Sequence, residues 1–262
     1  MKLAVGVVVL LVCLYGAGVF WLFLNQRKLQ YFPTHRDSAA KGEGEFLPWV
    51  ARDGSFQGYV RPVGGMRALV LLFHGNAGEA LDWAWFAEAV PADVGLILVE
   101  YPGFGARPGI TDQTGIFQAA VSAFDEAVAQ SHVPVWVVGE SLGSGVACYL
   151  AARKPAAKLA LISAFSSALD VAANAYPMIP IRWLMKDPFS SMDYVGAVST
   201  PTHLIHGTGD TMVPVALGRK LLAAFPHGNA VLTEVGGYGH SDIDQAILKS
   251  PRAEPFRAFL RN

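Results

Sequence analysis

One serine stands where its neighbours could make it a nucleophile. Ser141 lies within residues 139–143, Gly-Glu-Ser-Leu-Gly. The apolar, mostly β-branched run 135–138 before it predicts a strand that is buried on both faces. The stretch 146–154 after it predicts a helix that ends before Pro155. A G-x-S-x-G turn between a strand and a helix holds the hydroxyl out at the carboxyl edge of a sheet. The alternative is a glycine-rich turn with an incidental serine, and the partner residues decide between the two.

A serine hydroxyl needs a base, usually a histidine that a carboxylate orients. Asp210 comes directly after the predicted strand 202–206, and His240 comes after the predicted strand 230–235. The order Ser, Asp, His, with each partner in a loop after a late strand, is one that catalytic triads use. The sequence therefore predicts Ser141 as the nucleophile, His240 as the base and Asp210 as the orienting carboxylate.

An oxyanion hole needs two backbone N–H groups near the nucleophile. The amide of Leu142, directly after the serine, is predicted to be the first donor. The second is predicted to be the amide of Asn76, in the loop 74–78 (His-Gly-Asn-Ala-Gly) that follows an early apolar run. His74 is interpreted as a structural hydrogen-bonding residue, because the triad already supplies a histidine.

Other polar groups predict no metal or cofactor site. Residues 240–244, His-Ser-Asp-Ile-Asp, offer possible ligands, but no second cluster completes a metal site. Residues 103–105 lack the full dinucleotide fingerprint and are interpreted as a turn. The remaining histidines are interpreted as surface or packing residues: His35, His132, His203, His206 and His227.

Buried strands alternate with helical stretches along the globular part of the chain. A turn at Asp53-Gly54 predicts a hairpin within residues 46–61. Further strands are predicted at 68–73, 95–99, 135–138, 158–162, 202–206 and 230–235. Helices are predicted at 79–90, 114–130, 146–154, 215–224 and 251–260. This alternation predicts an α/β fold with a mostly parallel central sheet and helices on both faces, with ligands at the carboxyl ends of the strands.

One stretch interrupts the alternation. Residues 163–199 contain three prolines among closely spaced apolar side chains, including Met178 and Trp183. Ordinary core packing is one interpretation of each single residue. The grouping is better explained by a small cap over the site, about residues 164–198, whose apolar inner face suits an apolar substrate. We refer to residues 164–198 as the cap segment.

The composition of the 262-residue chain fits one domain preceded by a membrane segment. Its formal charge of −1 shows no electrostatic footprint for nucleic acid. Residues 3–24 carry no charged side chain, and at about 1.5 Å per residue they can cross a hydrocarbon core of about 30 Å. Residues 1–28 are therefore predicted to be a transmembrane anchor and residues 29–262 the globular domain.

A cleaved signal peptide is the alternative interpretation of the first residues. The apolar run is longer than a normal signal core, and no convincing cleavage site follows it. Arg27, Lys28 and Arg36 outnumber Lys2 and the terminal amine, which mildly favours a cytosolic globular domain. The side of the membrane stays open. The two cysteines, in the apolar run and behind the serine, predict no disulfide.

Together these motifs resemble the membrane-anchored serine hydrolases of the α/β-hydrolase fold, which have one N-terminal transmembrane helix and a small cap. The resemblance covers the chain from residue 29 to its end. Its motifs are residues 29–33, 73–78, 139–143, 163–167, 206–214 and 239–240. Two stretches depart from the usual pattern: the loop 100–105 reads Glu-Tyr-Pro-Gly-Phe-Gly where such proteins usually have Asp-Tyr-Arg-Gly-Tyr-Gly, and Arg107 falls near where a small residue is usual.

The resemblance implies esterase, thioesterase or lipase-like hydrolysis of acyl esters, with no cofactor. Similar proteins act on lysophospholipids, acylglycerols or fatty-acylated cysteines. An anchor beside an apolar cap suits substrates that partition into the bilayer. Two alternatives stay open: an acyltransferase that uses the same acyl-enzyme, and a catalytically idle, membrane-tethered binding module. Acyl-chain length, head group, the choice between ester and thioester, and oligomeric state stay open as well.

Overall fold

The computed structural model describes residues 1–35, 44–226 and 228–262. Arg36, which enters the orientation argument, and His227 lie outside these ranges. The chain begins with a long helix, α1 (Lys2–Gln30), none of whose residues is buried. Among the described residues it is the one helix long and apolar enough to cross a membrane. The helix continues two residues past the predicted anchor boundary at residue 28.

Within the described ranges, ten strands form one eight-stranded and one two-stranded sheet. They are β1 (Phe32–Pro33), β2 (Leu47–Val50), β3 (Phe56–Arg61), β4 (Ala68–Phe73), β5 (Ala77–Gly78), β6 (Val94–Val99), β7 (Val135–Glu140), β8 (Lys158–Ile162), β9 (Thr202–Gly207) and β10 (Ala230–Val235). The large sheet has the order β10-β9-β8-β7-β4-β6-β3-β2. Only β3 pairs antiparallel, with β2 and with β6; the other pairs are parallel. The predicted mostly parallel sheet is confirmed.

The helices follow the strands in the alternation that the sequence predicts. They are α2 (Gln113–Ser131), α3 (Leu142–Ala151), α4 (Ala168–Ala175), α5 (Ile181–Leu184), α6 (Val215–Leu222), α7 (Ile243–Lys249) and α8 (Glu254–Arg261). Successive residues of β4 point to opposite faces of the sheet. Leu71 belongs to a core shared with α2 and α3, and Leu72 belongs to a second core shared with α7 and α8. Helices therefore cover both faces.

Two local predictions are wrong in detail, and one helix is missed. Residues Ala80–Glu88 form a 3-10 helix, closed by a capping box between Glu79 and Asp82, and not an α-helix over 79–90. The helix after the serine begins at Leu142 and not at 146, because the strained turn at Ser141 leads straight into it. The helix α7 is not predicted, since its seven residues are too short for a clear apolar period.

The end of α1 pairs with the predicted oxyanion loop. β1 runs parallel to β5, with Phe32 opposite Ala77. The amide of Phe32 donates to the carbonyl of Asn76 (2.8 Å), and the Asn76 side chain donates to the carbonyl of Gln30 (2.8 Å). Residues 29–33, one of the motifs that carry the resemblance, therefore connect α1 to the loop after β4.

Candidate active site

The turn between β7 and α3 is strained at Ser141. Its φ of 49° and ψ of −114° place a non-glycine residue in a region that L-residues rarely adopt. A Cβ at Gly143 would collide with the carbonyl oxygen of Phe73, and a Cβ at Gly139 would collide with the carbonyl of Gly143. The two glycines of the motif are therefore required by close backbone approach, and the tight turn they allow places Ser141 at the carboxyl edge of the sheet.

The structure brings the three predicted triad side chains together, although 99 residues separate the serine from the histidine. His240 Nε2 lies 3.1 Å from Ser141 Oγ, and His240 Nδ1 lies 2.7 Å from Asp210 Oδ2. Asp210 follows β9 and His240 follows β10, which is adjacent to β9 in the sheet. Such a chain of groups can carry the hydroxyl proton to the imidazole while a carboxylate holds the ring.

The electrostatics of this chain favour an ionised aspartate. Burial raises the pKa of Asp210, but hydrogen bonds from His206, from His240 and from the Val213 amide outweigh it and hold that pKa well below its usual range. Burial lowers the pKa of His240, whereas the hydrogen bond to Asp210 and the carboxylates of Glu140 and Asp210 raise it, with a net rise. The imidazole is thus poised to accept a proton.

Two residues that the sequence analysis did not identify as part of the site lie against the triad. His206, interpreted as a surface or packing residue, is buried and lies 3.5 Å from Asp210 Oδ2, with Nε2 also 2.8 Å from the carbonyl of Val213. Glu140, the variable residue of the motif, is buried with Oε1 3.3 Å from His240 Nε2. Burial raises the pKa of Glu140 to about 7, against the opposing effect of His240 and His74. The sequence offers no clear signal of either contact, since i,i+4 spacing brings side chains together on a helix, whereas His206 lies at the end of β9 and Asp210 in the loop after it.

We expect the charge of Glu140 to move the acidic limb of the pH profile of kcat/KM to higher pH, because it raises the pKa of His240. In Glu140→Gln, the loss of a negative charge beside His240 lowers the pKa of the imidazole, so the neutral base survives to lower pH. The acidic limb of kcat/KM should therefore move down by about 0.5–1 pH unit, a modest shift because Glu140 is itself part-protonated near pH 7. The exposed Glu88, changed to Gln, is the matched control. An unmoved limb in Glu140→Gln would contradict this assignment.

Buried side chains contact the predicted oxyanion loop, residues 74–78, and fix its position. His74 is fully buried, with Nε2 3.2 Å from Glu100 Oε1, and its carbonyl accepts a hydrogen bond from the Tyr101 hydroxyl (2.7 Å). Glu100 also accepts from the amide of Ala80 (3.1 Å). The glutamate that departs from the usual motif thus fastens this loop. The structural interpretation of His74 agrees with these contacts.

The second departure has a structural reason as well. Arg107 donates to the carbonyl of Glu100 (2.7 Å) and to the side chain of Gln57, which closes the loop 100–107 onto β3. The remaining described histidines lie away from the triad: His203 meets Thr233 (2.8 Å), His35 meets the carbonyl of Gly105 (2.9 Å), and His132 ends α2.

The described residues contain no cluster of side chains that could bind a metal ion. Among residues 1–35, 44–226 and 228–262, no three His, Cys, Asp or Glu side chains come together as metal ligands would.

The two residues predicted to form the oxyanion hole lie in different settings. The side chain and carbonyl of Asn76 are hydrogen-bonded to Gln30 and Phe32, and Leu142 is the first residue of α3. The oxyanion role of their two amides stays a prediction.

Comparisons with known proteins agree with this architecture. A family model described as alpha/beta hydrolase fold matches residues 68–184. The chain is 33% identical over 247 residues to the uncharacterized protein Rv2307c of Mycobacterium tuberculosis, covering 90% of this chain and 88% of that protein. It is 30% identical over 185 residues to the lysophosphatidylserine lipase ABHD12 of Macaca fascicularis, covering 62% of this chain and 46% of the lipase.

A solved structure gives the same result for the fold. The monoacylglycerol lipase of Paleococcus ferrophilus superimposes with a TM-score of 0.57 at 18% identity, over 78% of this chain and 97% of the lipase. At that identity the likeness concerns the fold. The extended match to Rv2307c, the matched family model and the shared fold together identify the family. The chain belongs to the α/β-hydrolase family.

Proposed function

We propose that the protein is a serine hydrolase that cleaves carboxylic acyl esters or thioesters, of lipids or acylated molecules near a membrane, through an acyl-Ser141 intermediate. The observation that carries the proposal is the hydrogen-bonded chain from Ser141 Oγ through His240 to Asp210, with distances of 3.1 Å and 2.7 Å. Its setting at a strained strand-to-helix turn in a hydrolase fold supports it.

The reaction runs in two halves. Ser141 Oγ attacks the acyl carbonyl while His240 Nε2 takes the hydroxyl proton, and Asp210 stabilises the imidazolium that forms. The tetrahedral intermediate collapses as the bond to the alcohol or thiol breaks, and His240 returns the proton to that leaving group. A water molecule then gives a proton to His240 and attacks the acyl carbon; the bond to Ser141 Oγ breaks, His240 returns the proton to Oγ, and the acid leaves.

The negative oxygen of each tetrahedral intermediate needs donors that are already in place. In the proposal, the amide of Leu142 at the start of α3 is one donor and the amide of Asn76 is the other. The helix dipole of α3 favours the same negative charge. A strong donor of this kind contributes about 3–4 kcal/mol to transition-state stabilisation.

The lipid part of the proposal rests on α1 and on the relatives. An apolar helix of 29 residues at the start of the chain suits a membrane anchor, as the sequence predicts. The relative ABHD12 is a lysophosphatidylserine lipase, and a lipid ester of that general kind partitions into the bilayer beside such an anchor. The sequence also predicts a small cap with an apolar inner face over the site, but Met178 and Trp183, which led to that prediction, are exposed, so the lipid substrate does not rest on them.

The test is a series of p-nitrophenyl esters from short to long acyl chains, together with micellar lipid esters and a fluorophosphonate probe. The full chain is used, because Gln26 and Arg27 at the end of α1 hydrogen-bond to residues 184–187 of the cap segment. We expect the probe to label Ser141 and turnover to favour longer chains. A preference for short soluble esters with no action on micellar lipids would refute the lipid substrate.

The same assay addresses the alternatives. Added acceptor alcohols would produce a transferred ester if the protein were an acyltransferase, and water would give only the free acid if it is a hydrolase. Absence of both turnover and fluorophosphonate labelling would indicate the idle binding module.

A further inference from the structure

Residues 178–187 of the cap segment run parallel to the second half of α1 and pair with it. The hydroxyl of Tyr15 donates to the carbonyl of Met178 (2.6 Å). Farther along, the Gln26 side chain donates to the carbonyl of Leu184 (3.1 Å) and accepts from the amide of Lys186 (2.7 Å). At the end of α1, Arg27 pairs with the Asp187 carboxylate (2.8 Å). Residues 178–187 therefore follow the helix from the middle of its apolar stretch to its polar end.

These pairings give the cap segment a depth relative to α1. Tyr15 lies 11 residues before Gln26, which is about 16 Å along a helix at 1.5 Å per residue. One leaflet of a hydrocarbon core is about 15 Å thick. If α1 crosses the bilayer with its uncharged residues 3–24, Met178 lies at hydrocarbon depth and Asp187 lies at the surface.

Most backbone polar groups at residues 176–181 are paired, which lowers the cost of placing this stretch in lipid; among the described residues, the Met178 amide and the Pro177 carbonyl have no partner. Pro177 and Pro180 have no N–H to satisfy. The amide of Ile179 donates to the carbonyl of Tyr176, and the amide of Ile181 donates to the carbonyl of Ile179. The carbonyl of Met178 accepts from Tyr15. The tyrosine hydroxyl and this carbonyl thus satisfy each other at a depth where water is absent.

The side chains of this stretch present an exposed apolar face. We call residues 176–184 the cap tip. Trp183 is 89% exposed, Met178 81% and Tyr176 59%. Apolar side chains of this size, grouped on one short stretch, mark an interaction surface, and tryptophan and tyrosine prefer the membrane interface. The single charge in the cap tip, Arg182, is paired with Asp170 (3.2 Å).

Basic groups border the cap tip at its polar end. The ammonium of Lys186 lies 4.3 Å from the centre of the Phe23 ring, and Lys28 is exposed one turn farther along α1. Long cationic side chains at the end of an apolar stretch place their charge at the lipid headgroups and attract anionic lipids.

We infer that the cap tip is a second membrane-binding element, inserted into one leaflet beside α1, so that this part of the cap segment faces lipid and not water. The inference rests on the proposed anchoring by α1 and deepens it. The occupant of the exposed apolar face is the bilayer, because the face is continuous with the lipid-facing surface of α1. Together α1 and the cap tip form one membrane-facing surface of the protein.

The test uses environment-sensitive fluorophores on the full chain in vesicles with anionic lipids, with nitroxide lipids and aqueous iodide as quenchers. The exposed native Cys13 reports α1, since Cys148 is buried. In a Cys13→Ser background, Trp183→Cys and Met178→Cys report the cap tip. Val231→Cys is the matched control, because Val231 is an exposed apolar residue (57%) on β10, outside the cap segment. Circular dichroism checks that each variant is folded.

We expect nitroxide lipids to quench the probes at Cys13, Trp183 and Met178, with nitroxides deep in the acyl chain more effective at Met178 than at Trp183. The probe at Val231 should respond to iodide alone. Quenching at Cys13 but iodide access at both cap-tip positions would overturn the inference and leave the anchor standing. Shielding of the cap tip from both quenchers would assign the face to a protein partner instead. Iodide access at Cys13 would overturn the proposed anchor itself.

Discussion

Replacing Ser141 with alanine is expected to lower kcat for acyl-ester hydrolysis by about four to six orders of magnitude, since the variant cannot form the acyl-enzyme. The change removes only Oγ, which lies 3.1 Å from His240 Nε2. The strained backbone at Ser141 is as demanding for alanine as for serine, so the fold should be retained. Hydrolysis of the preferred p-nitrophenyl ester and fluorophosphonate labelling are measured in parallel, and labelling should disappear.

Ser199→Ala is the matched control, because Ser199 is exposed and lies directly after the cap segment, outside the triad. It should retain both activity and labelling. Residual turnover in Ser141→Ala close to that of the control would mean that another group attacks the ester. Loss of turnover in both variants would point to damaged folding, which the melting temperature of each protein would reveal.

The fold could be predicted from the sequence because its strongest signals are local. The uninterrupted apolar run 68–73 matches β4 at both ends, and the predicted strand 230–235, apolar except at Thr233 and Glu234, matches β10 at both ends. Parallel strands place their carboxyl ends at one edge, and for that reason the loops after β7, β9 and β10 could be expected to meet. The grouping of Ser141, Asp210 and His240 follows from strand order, whereas their chemical roles remain to be measured.

The supporting residues could not be predicted in the same way. Glu140 occupies a motif position that accepts many residue types, and only the folded structure shows that its carboxylate lies against Gly75 and 3.3 Å from His240 Nε2. His206 lies in β9, directly before its last residue, Gly207. Its proximity to Asp210 depends on how the chain turns after β9. Side-chain direction at the end of a strand is not encoded in apolar periodicity.

The association of α1 with the cap segment was equally hidden. Arg27 and Asp187 are 160 residues apart, and nothing in either local sequence indicates the pair. Only the three-dimensional course of the chain brings residues 178–187 beside the helix. The helix α1 and the cap segment, which the sequence presents as separate parts, are hydrogen-bonded at several positions.

Asp210→Asn is expected to lower kcat by about four orders of magnitude with little change in the fold. Oδ1 of Asp210 accepts the amides of Met212 (3.0 Å) and Val213 (2.7 Å), so an asparagine keeps its oxygen on that side. Its NH2 group then faces His240 Nδ1, where the carboxylate lies at 2.7 Å in the wild type. A donor in that place makes Nδ1 an acceptor and moves the imidazole proton to Nε2, which can no longer accept the proton of Ser141.

The loss should fall on kcat and not on folding, and the pH profile tells the two apart. The charge of Asp210 helps to raise the pKa of His240, so the remaining activity of Asp210→Asn should have its acidic limb at lower pH than the wild type. Asp53→Asn is the matched control, since Asp53 also accepts a turn amide, from Ser55 (2.8 Å), but lies in the exposed β2–β3 turn. If Asp210 orients the base, the asparagine reverses the tautomer of His240 and leaves Ser141 without a proton acceptor. A wild-type kcat in Asp210→Asn would therefore show that this carboxylate does not orient the base.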